Sequence, residues 1–236
     1  MIVALIPARG GSKRVPRKNL QKIGRRTLLE WSIIEALHCP AIDHVYVSSE
    51  DDEILGYARE YKKVSALKRS AEAATDDATD RDVVLDFLSK TSGDVSLIVY
   101  LRPTTPFRMG KDIEEAIQKM IDVPEATGLR SVHEMSESAY KCFEVGIGRI
   151  LRTAFTAALS VDSANLPNHF YPKTYHPNGV VDIIRPEVVR TGALFGDRVM
   201  AHITKPTIEI DTLHDFKLAE FELAIRSKEG REVFRP

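Results

Sequence analysis

Apolar residues follow two alternating patterns along the chain. Short β-rich runs recur at 2–6 (IVALI), 43–49 (DHVYVSS), 64–67 (VSAL), 95–101 (VSLIVYL) and 179–184 (GVVDII). Between and after them lie segments with apolar positions at a period near 3.6: Thr27 to His38, Asp51 to Tyr61, Thr79 to Ser89, Lys111 to Ile121 and Thr212 to Ile225. Three of these open on a threonine with an acid three residues later (T-L-L-E, T-D-R-D, T-L-H-D). That is the arrangement in which hydroxyl and carboxylate each accept the other residue's backbone amide at a helix start. Strands apolar along their length and alternating with helices predict an α/β fold, a mostly parallel sheet with helices on both faces.

The stretch from about 135 to 178 breaks this rhythm. Its periodicity is weak and it runs into LPNHFYPKTYHPNG, rich in proline, asparagine, histidine and tyrosine. It predicts an inserted arm on one domain spanning 1–236, and 236 residues at 43% hydrophobic suffice for a single large core.

Charge narrows the function classes. Lys plus Arg (33) nearly cancels Asp plus Glu (34), so no global field draws the chain to nucleic acid or an anionic membrane, and any phosphate affinity is local. Cys39 and Cys142 have neither metal-ligand spacing nor the density of a disulfide framework, which points to a reducing, cytoplasmic setting. The leading MIVALIP is too short for a signal sequence or a membrane span. GxxxxGK[ST], GxGxxG, GxSxG and HExxH are all absent, which weakens P-loop, dinucleotide, hydrolase and zinc readings.

One segment concentrates the chemistry. IPARGGSKRVPRKNL (6–20) follows the first apolar run and sets Arg9, Lys13, Arg14, Arg17 and Lys18 around Gly10-Gly11. Adjacent glycines let backbone amides turn inward as an anion nest, arginine supplies forked donors, and lysine supplies a movable point charge, a combination suited to a di- or triphosphate. A solvated basic turn is the alternative, and an RNA contact is a third. The loop has no stacking aromatic, which opposes RNA.

The run A-R-G-G-S-K-R-x-P-x-K-N resembles the signature of the acylneuraminate cytidylyltransferases. Further segments resemble the same family in order: LKRSAEAATDDAT (67–79), LRPTTPFR (101–108), YHPNG (175–179) and IEIDTLHDFKLAE (208–220). The resemblance implies a Rossmann-like nucleotidyltransferase fold, Mg2+, and a homodimer in which the 135–178 arm of each copy reaches the other's site. It implies that CTP and a nonulosonic, sialic-type keto-sugar acid give the CMP-sugar and pyrophosphate.

By that resemblance Ala8, Arg9, Gly10, Gly11, Ser12, Lys13, Lys18 and Asn19 surround the triphosphate. Lys18 or Arg9 would offset charge on the departing pyrophosphate. Arg69 corresponds to an arginine near the cytidine, with an ion pair to Glu72 or Asp76 as the other reading. Arg102, Thr104, Asn178 and Gly179 correspond to positions beside the sugar, and Lys141 to an arm lysine that approaches the partner's site. Glu209 and Asp211, two apart on an extended segment, would share the metal, with Asp211 the firmer ligand. From spacing alone, Asp211 equally fits a cap on the helix beginning near Thr212.

Three positions depart from the family pattern. Arg102 replaces a common glutamine, Glu209 replaces an aspartate, and Asn168 stands near an expected arginine. Arg102 keeps donors for a carboxylate or N-acyl oxygen, though its shape and charge differ from those of glutamine. Legionaminate, pseudaminate or the eight-carbon keto-deoxy-octulosonate are alternative acceptors, and a catalytically silent nucleotide binder is an alternative of another class.

Overall fold

The computed structural model describes residues 1–155 and 160–228. The chain begins with β1 (Ile2–Pro7), the loop 8–17, a 3-10 turn (Lys18–Leu20) and a small hairpin of β2 (Lys22–Ile23) and β3 (Arg26–Thr27). Then follow α1 (Leu28–Leu37), β4 (His44–Ser49), α2 (Asp52–Arg59), β5 (Val64–Lys68), α3 (Asp80–Lys90), β6 (Leu97–Tyr100) and α4 (Gly110–Asp122). After β7 (Gly128–Glu134) comes an irregular segment holding the hairpin of β8 (Phe143–Val145) and β9 (Leu151–Thr153). The described chain closes with β10 (Tyr175–Ile184), α5 (Pro186–Arg190), β11 (Val199–Ile203) and α6 (Leu213–Lys228).

Seven strands form one sheet in the order β11-β7-β10-β6-β1-β4-β5. The pairs β1–β4, β1–β6, β4–β5 and β11–β7 are parallel, whereas β10 runs antiparallel to both β6 and β7. The sheet is therefore mostly parallel, as the apolar runs predict, and the antiparallel strand is the GVVDII segment. Alternation along β1 divides the core. Ala4 and Ile6 pack with Leu29 and Ile33 of α1, Ile54 of α2 and Ile117 of α4 on one face. Val3 and Leu5 join Val83, Val84 and Phe87 of α3 on the other.

Helix starts follow the local chemistry. Thr27 and Glu30 form a capping box at α1, and Thr79 and Asp82 form one at α3. Asp51 caps α2 by accepting from the amides of Glu53 and Ile54. Strands β7 and β11 and helix α5 are absent from the apolar pattern. Charged and polar residues interrupt GLRSVHE, and β11 lies at the sheet edge, where one side needs no apolar cover. The irregular stretch is shorter than its expected 135–178 span, because β10 already begins at Tyr175. Positions 156–159 of the expected arm and 229–236 of the expected domain lie outside the described residues.

Candidate active site

The strand order reverses beside β1. The chain goes from β1 to β4 and β5 on one side, and β6 then pairs on the other. At such a switch point the loops leaving the carboxyl ends of neighbouring strands diverge and leave a crevice. A cleft of about 340 Å3 occupies it. Pro7, Arg9, Ser12, Lys18 and Asn19 line it from the β1 side, and Tyr100, Arg102, Pro103 and Thr104 from the β6 side. Arg69, Ala73, Thr75, Asp76 and Ala78, from the segment joining β5 to α3, and Asp80 and Val83 of α3 complete the lining.

The basic loop is held by acids rather than left open. The Ala8 amide donates to Ser48 O (2.9 Å), extending the β1–β4 pairing, and Ala8 is buried outside the cleft. Asn19 Nδ2 donates to Arg9 O at 2.9 Å. The Gly10 amide donates to Glu50 Oε1 at 2.7 Å, so the expected inward nest at the glycine pair is not formed. Gly10 is needed for a different reason: a Cβ there would lie 2.5 Å from Asp51 Oδ2. Gly11 meets nothing within 4 Å.

Arg17 leaves the expected cation cluster. It adopts left-handed backbone (φ 55) and donates from Nη1 to Asp51 Oδ2 at 2.6 Å, with Glu53 on its other nitrogen. It therefore stitches the loop to the start of α2. Burial raises the Asp51 pKa, but the α2 amides and Arg17 outweigh it and hold the carboxyl below its ordinary value. Lys13 Nζ pairs with Asp76 at 2.5 Å and Arg14 Nη1 with Asp211 at 3.5 Å, both at the exposed rim.

Lys18 is the most enclosed of the loop cations, with 13% of its side chain exposed. Its Nζ donates to Ile210 O (2.8 Å) and Asp211 Oδ1 (2.9 Å), which uses two of three donors. The Ile210 amide donates to Thr104 O at 2.8 Å, so the 208–211 segment is tied to both cleft loops. Asp211 does not cap α6. Asp215 Oδ2 accepts from the amides of Asp211 and Thr212, and Thr212 Oγ1 accepts from the Asp215 amide. The alternative open at the sequence level thus goes to the Thr212–Asp215 pair, and the Asp211 carboxylate is left to face Lys18 and Arg14.

No group of three or more His, Cys, Asp or Glu converges among the described residues. Magnesium needs only one or two protein carboxylates when phosphates and water supply the rest. Asp211 is a carboxylate beside the cleft with 48% of its side chain exposed, its Oδ1 on Lys18 and its Oδ2 towards Arg14. Glu209, exposed and without a polar contact to the described residues, is not brought to the cleft.

Arg69 is buried and donates from Nε to Ser48 Oγ (3.1 Å) and from Nη2 to Ser48 O (2.8 Å), making no ion pair with Glu72 or Asp76. Burial lowers its pKa while Tyr100 and Glu50 oppose the shift. Arg102 lines the cleft, but its fork is occupied. Nη1 donates to Asp182 Oδ2 and Nη2 to Asp80 Oδ2, both at 2.6 Å, and the guanidinium lies 5.0 Å over the Tyr100 ring. The expectation that Arg102 offers donors to a carboxylate or N-acyl oxygen therefore meets a guanidinium that reaches the cleft already paired with Asp80 and Asp182.

Asn178 and Gly179 sit at an irregularity of β10, where the register with β7 shifts between Pro177 and Asp182 and Gly179 takes φ 64. Asn178 Nδ2 donates to Thr204 Oγ1 (2.7 Å), and a Cβ on Gly179 would meet Thr105 Oγ1 at 3.0 Å. The pair thus lies against the 101–106 loop without lining the cleft. Lys141 remains on the arm, 3.6 Å from Glu137 and 5.9 Å from the Tyr171 ring centre. Asn168 Nδ2 donates to Ser136 O, holding the arm to its own root.

Sequence reasoning missed Thr75, Asp76, Asp80 and Tyr100 in the cleft and Arg108 beneath it. Fully enclosed, Arg108 donates to Val180 O, Ser32 Oγ and Gly179 O, binding the loop to β10. The available signal was unpaired charge inside otherwise apolar or capping segments, LRPTTPFR and TDDATD.

A cation-rich loop and a carboxylate gathered at the switch point of this sheet define a nucleotidyltransferase of Rossmann-like fold. Residues 3–216 match the cytidylyltransferase family model, and the chain belongs to that family. It is 25% identical over 241 residues to the post-translational flagellin modification protein B of Campylobacter coli, covering 98% of each. It is 28% identical over 234 residues to the N-acylneuraminate cytidylyltransferase of Escherichia coli O18:K1:H7, covering 98% of this chain and 53% of that protein. Over 120 residues it is 34% identical to the CMP-N,N'-diacetyllegionaminic acid synthase of Legionella pneumophila, 50% of this chain and 52% of that one. The chain thus spans nearly all of the first relative and about half the length of the other two. Among solved structures, CMP:2-keto-3-deoxy-manno-octonic acid synthetase complexed with CTP superposes with a TM-score of 0.72 at 17% identity, covering 95% of this chain and 99% of that one. That likeness concerns the fold.

Proposed function

We propose that this chain transfers the cytidylyl group of CTP to the anomeric hydroxyl of a nonulosonic, sialic-type sugar acid, giving the CMP-sugar and pyrophosphate. The observation that carries this reading is the convergence of Arg9, Lys18 and Thr104 on one cleft, with Asp211 tied to it through Lys18, in a chain of the cytidylyltransferase family. The hydroxyl oxygen attacks the α-phosphorus in line and gives up its proton to water, and the bond to the bridging oxygen breaks with its electrons passing to pyrophosphate. Arg9 and Lys18 offset the charge gathering there. Asp211, oriented by Lys18, would hold Mg2+, which when bound supplies positive charge beside the phosphates.

Arg69 serves the nucleoside end and Thr104 the acceptor end through their places in the lining, with Asn178 and Gly179 set against the neighbouring Thr105. Arg102, neutralised by two carboxylates, shapes the cleft rather than binding the acceptor carboxylate. Relatives named for N-acylneuraminate, legionaminic acid and pseudaminic acid support a nine-carbon acceptor and favour no single one. A cytosolic site of action agrees with two free cysteines, and no described helix is long and apolar enough to cross a membrane.

The chain is further proposed to act as a homodimer, its arm carrying Lys141 towards a second copy. The arm exposes Val145, Ile147, Ile150, Phe155 and Phe170, with Ile147 93% exposed, and large apolar side chains left on a surface in this way suit a partner.

Pyrophosphate release, measured for each of four nucleoside triphosphates against a panel of keto-sugar acids including keto-deoxy-octulosonate, tests the reading. CTP-dependent release with a nonulosonic acid is expected. No release with CTP under any acceptor overturns it, and tight CTP binding without turnover would point to the silent binder.

A further inference from the structure

Every cation of the basic loop is engaged by a carboxylate. Arg17 pairs with Asp51 and Glu53, Lys18 and Arg14 with Asp211, and Arg9 and Lys13 with Asp76. These contacts differ in how firmly they are built. Asp51 also caps α2, and Lys18 also bonds a backbone carbonyl, so both pairs belong to the scaffold. Asp76 has no such second anchor. One of its oxygens lies 3.2 Å from Arg9 Nη1 and the other 2.5 Å from Lys13 Nζ, and half of its side chain is exposed.

Asp76 lines the cleft with Arg9, from the segment between β5 and α3. It therefore ties that segment to the two cations that the triphosphate reading assigns to phosphate. Arg9 and Lys13 each keep further N–H donors, so the competition is one of charge: at contact distance a carboxylate and a phosphoryl group on the same cations repel. Exposed pairs of this kind are individually weak and so readily exchanged. The Asp76 carboxyl is held below its ordinary value chiefly by the hydrogen bond and charge of Lys13, so it is ionised at neutral pH.

We propose that Asp76 is a displaceable counter-ion of the loop: it occupies Arg9 and Lys13 until a polyphosphate takes its place, and so limits how tightly CTP and pyrophosphate are held. This rests on the triphosphate reading of the cleft. Its consequence for turnover is that Asp76 returns to the cations as pyrophosphate departs and speeds that departure.

Calorimetric titration with inorganic pyrophosphate tests the proposal without needing an acceptor. Asp76→Asn, and Asp76→Ser as a second variant, should bind pyrophosphate about three- to tenfold more tightly than the unaltered chain. Asp77→Asn changes net charge equally at an exposed neighbour that touches no loop cation, and it should shift affinity less than about twofold. Unchanged or weaker binding by both Asp76 variants overturns the proposal, as does an equal gain in Asp77→Asn. If no form binds pyrophosphate, the phosphate site itself is wrong and the proposal falls with it, whereas binding by the unaltered chain with no gain in the variants removes this inference alone.

Discussion

Lys18 and Asp211 are 193 positions apart in the chain, yet Lys18 Nζ and Asp211 Oδ1 are 2.9 Å apart beside the cleft. The contact joins the basic loop to the segment before α6 and orients the carboxylate proposed to hold magnesium. Lys18→Ala should therefore reduce kcat by about 10²- to 10³-fold, the scale of losing one preorganised charge donor. Lys111→Ala, on the exposed side of α4, should stay within about twofold. Asp211→Asn should raise the magnesium concentration required for half-maximal turnover. Equal effects of the two lysine variants on pyrophosphate release would misplace the site.

The two loop glycines should respond differently. A methyl group at Gly10 collides with Asp51, which both caps α2 and receives Arg17, whereas Gly11 faces open space at ordinary φ. Gly10→Ala is expected to cost about 1–3 kcal/mol and to weaken CTP binding, and Gly11→Ala to be nearly neutral. Thermal melts with and without CTP measure both quantities, and equal tolerance at the two positions would contradict the packing.

Asp182 is only 1% exposed and depends on Arg102, with Arg130 Nε more distant at 3.5 Å. Replacing Arg102 by glutamine strands a buried carboxylate, for which about 3–5 kcal/mol of destabilisation is expected. Asp182→Asn introduced together with Arg102→Gln should restore part of the loss. Denaturant midpoints of the single and double variants form the cycle, and strict additivity would show that the pair is not coupled.

Acid should loosen the same cluster. Burial raises the Asp80 pKa, but Arg102 and the Tyr100 hydroxyl outweigh it and hold the carboxyl below its ordinary value. A group depressed in the folded chain contributes stability above its unfolded pKa of about 3.9 and loses it as pH falls through the folded value. Asp80→Asn should therefore be less stable at neutral pH and show a shallower decline below about pH 4. Parallel decline in both proteins would exclude Asp80 as a contributor.

The arm provides the test of assembly. Ile147→Glu places a charge where a nearly fully exposed apolar side chain stands. Light scattering should show a shift from dimer to monomer with the melting temperature little changed. A monomeric unaltered chain at working concentration would remove the partner from the proposal.

Much of the architecture was legible because it follows from local rules. The apolar runs at 2–6, 43–49 and 95–101 and the threonine-led helix starts correspond to β1, β4, β6, α1 and α3 within a residue or two. Strands β7 and β11 were not legible, since Arg130, His133 and an edge position obscure the apolar signal. Of the expected site residues, Arg9, Ser12, Lys18, Asn19, Arg69, Arg102 and Thr104 line one cleft, whereas Ala8, Gly10, Gly11, Lys13, Lys141, Asn178, Gly179, Glu209 and Asp211 do not, Asp211 reaching it only through its contact with Lys18.

The sequence by itself determined the class of the fold, the position of the basic loop after the first strand and the family, because periodicity, caps and contiguous motifs are properties of neighbouring residues. Only the tertiary structure decided which charges remain available. Arg102 is neutralised by Asp80 and Asp182, Arg17 is turned to Asp51, and Asp211 is freed from capping by Asp215. Those outcomes depend on pairs mostly brought together from distant segments when the sheet closes, and Coulomb energies at about 3 Å cannot be read from spacing along the chain.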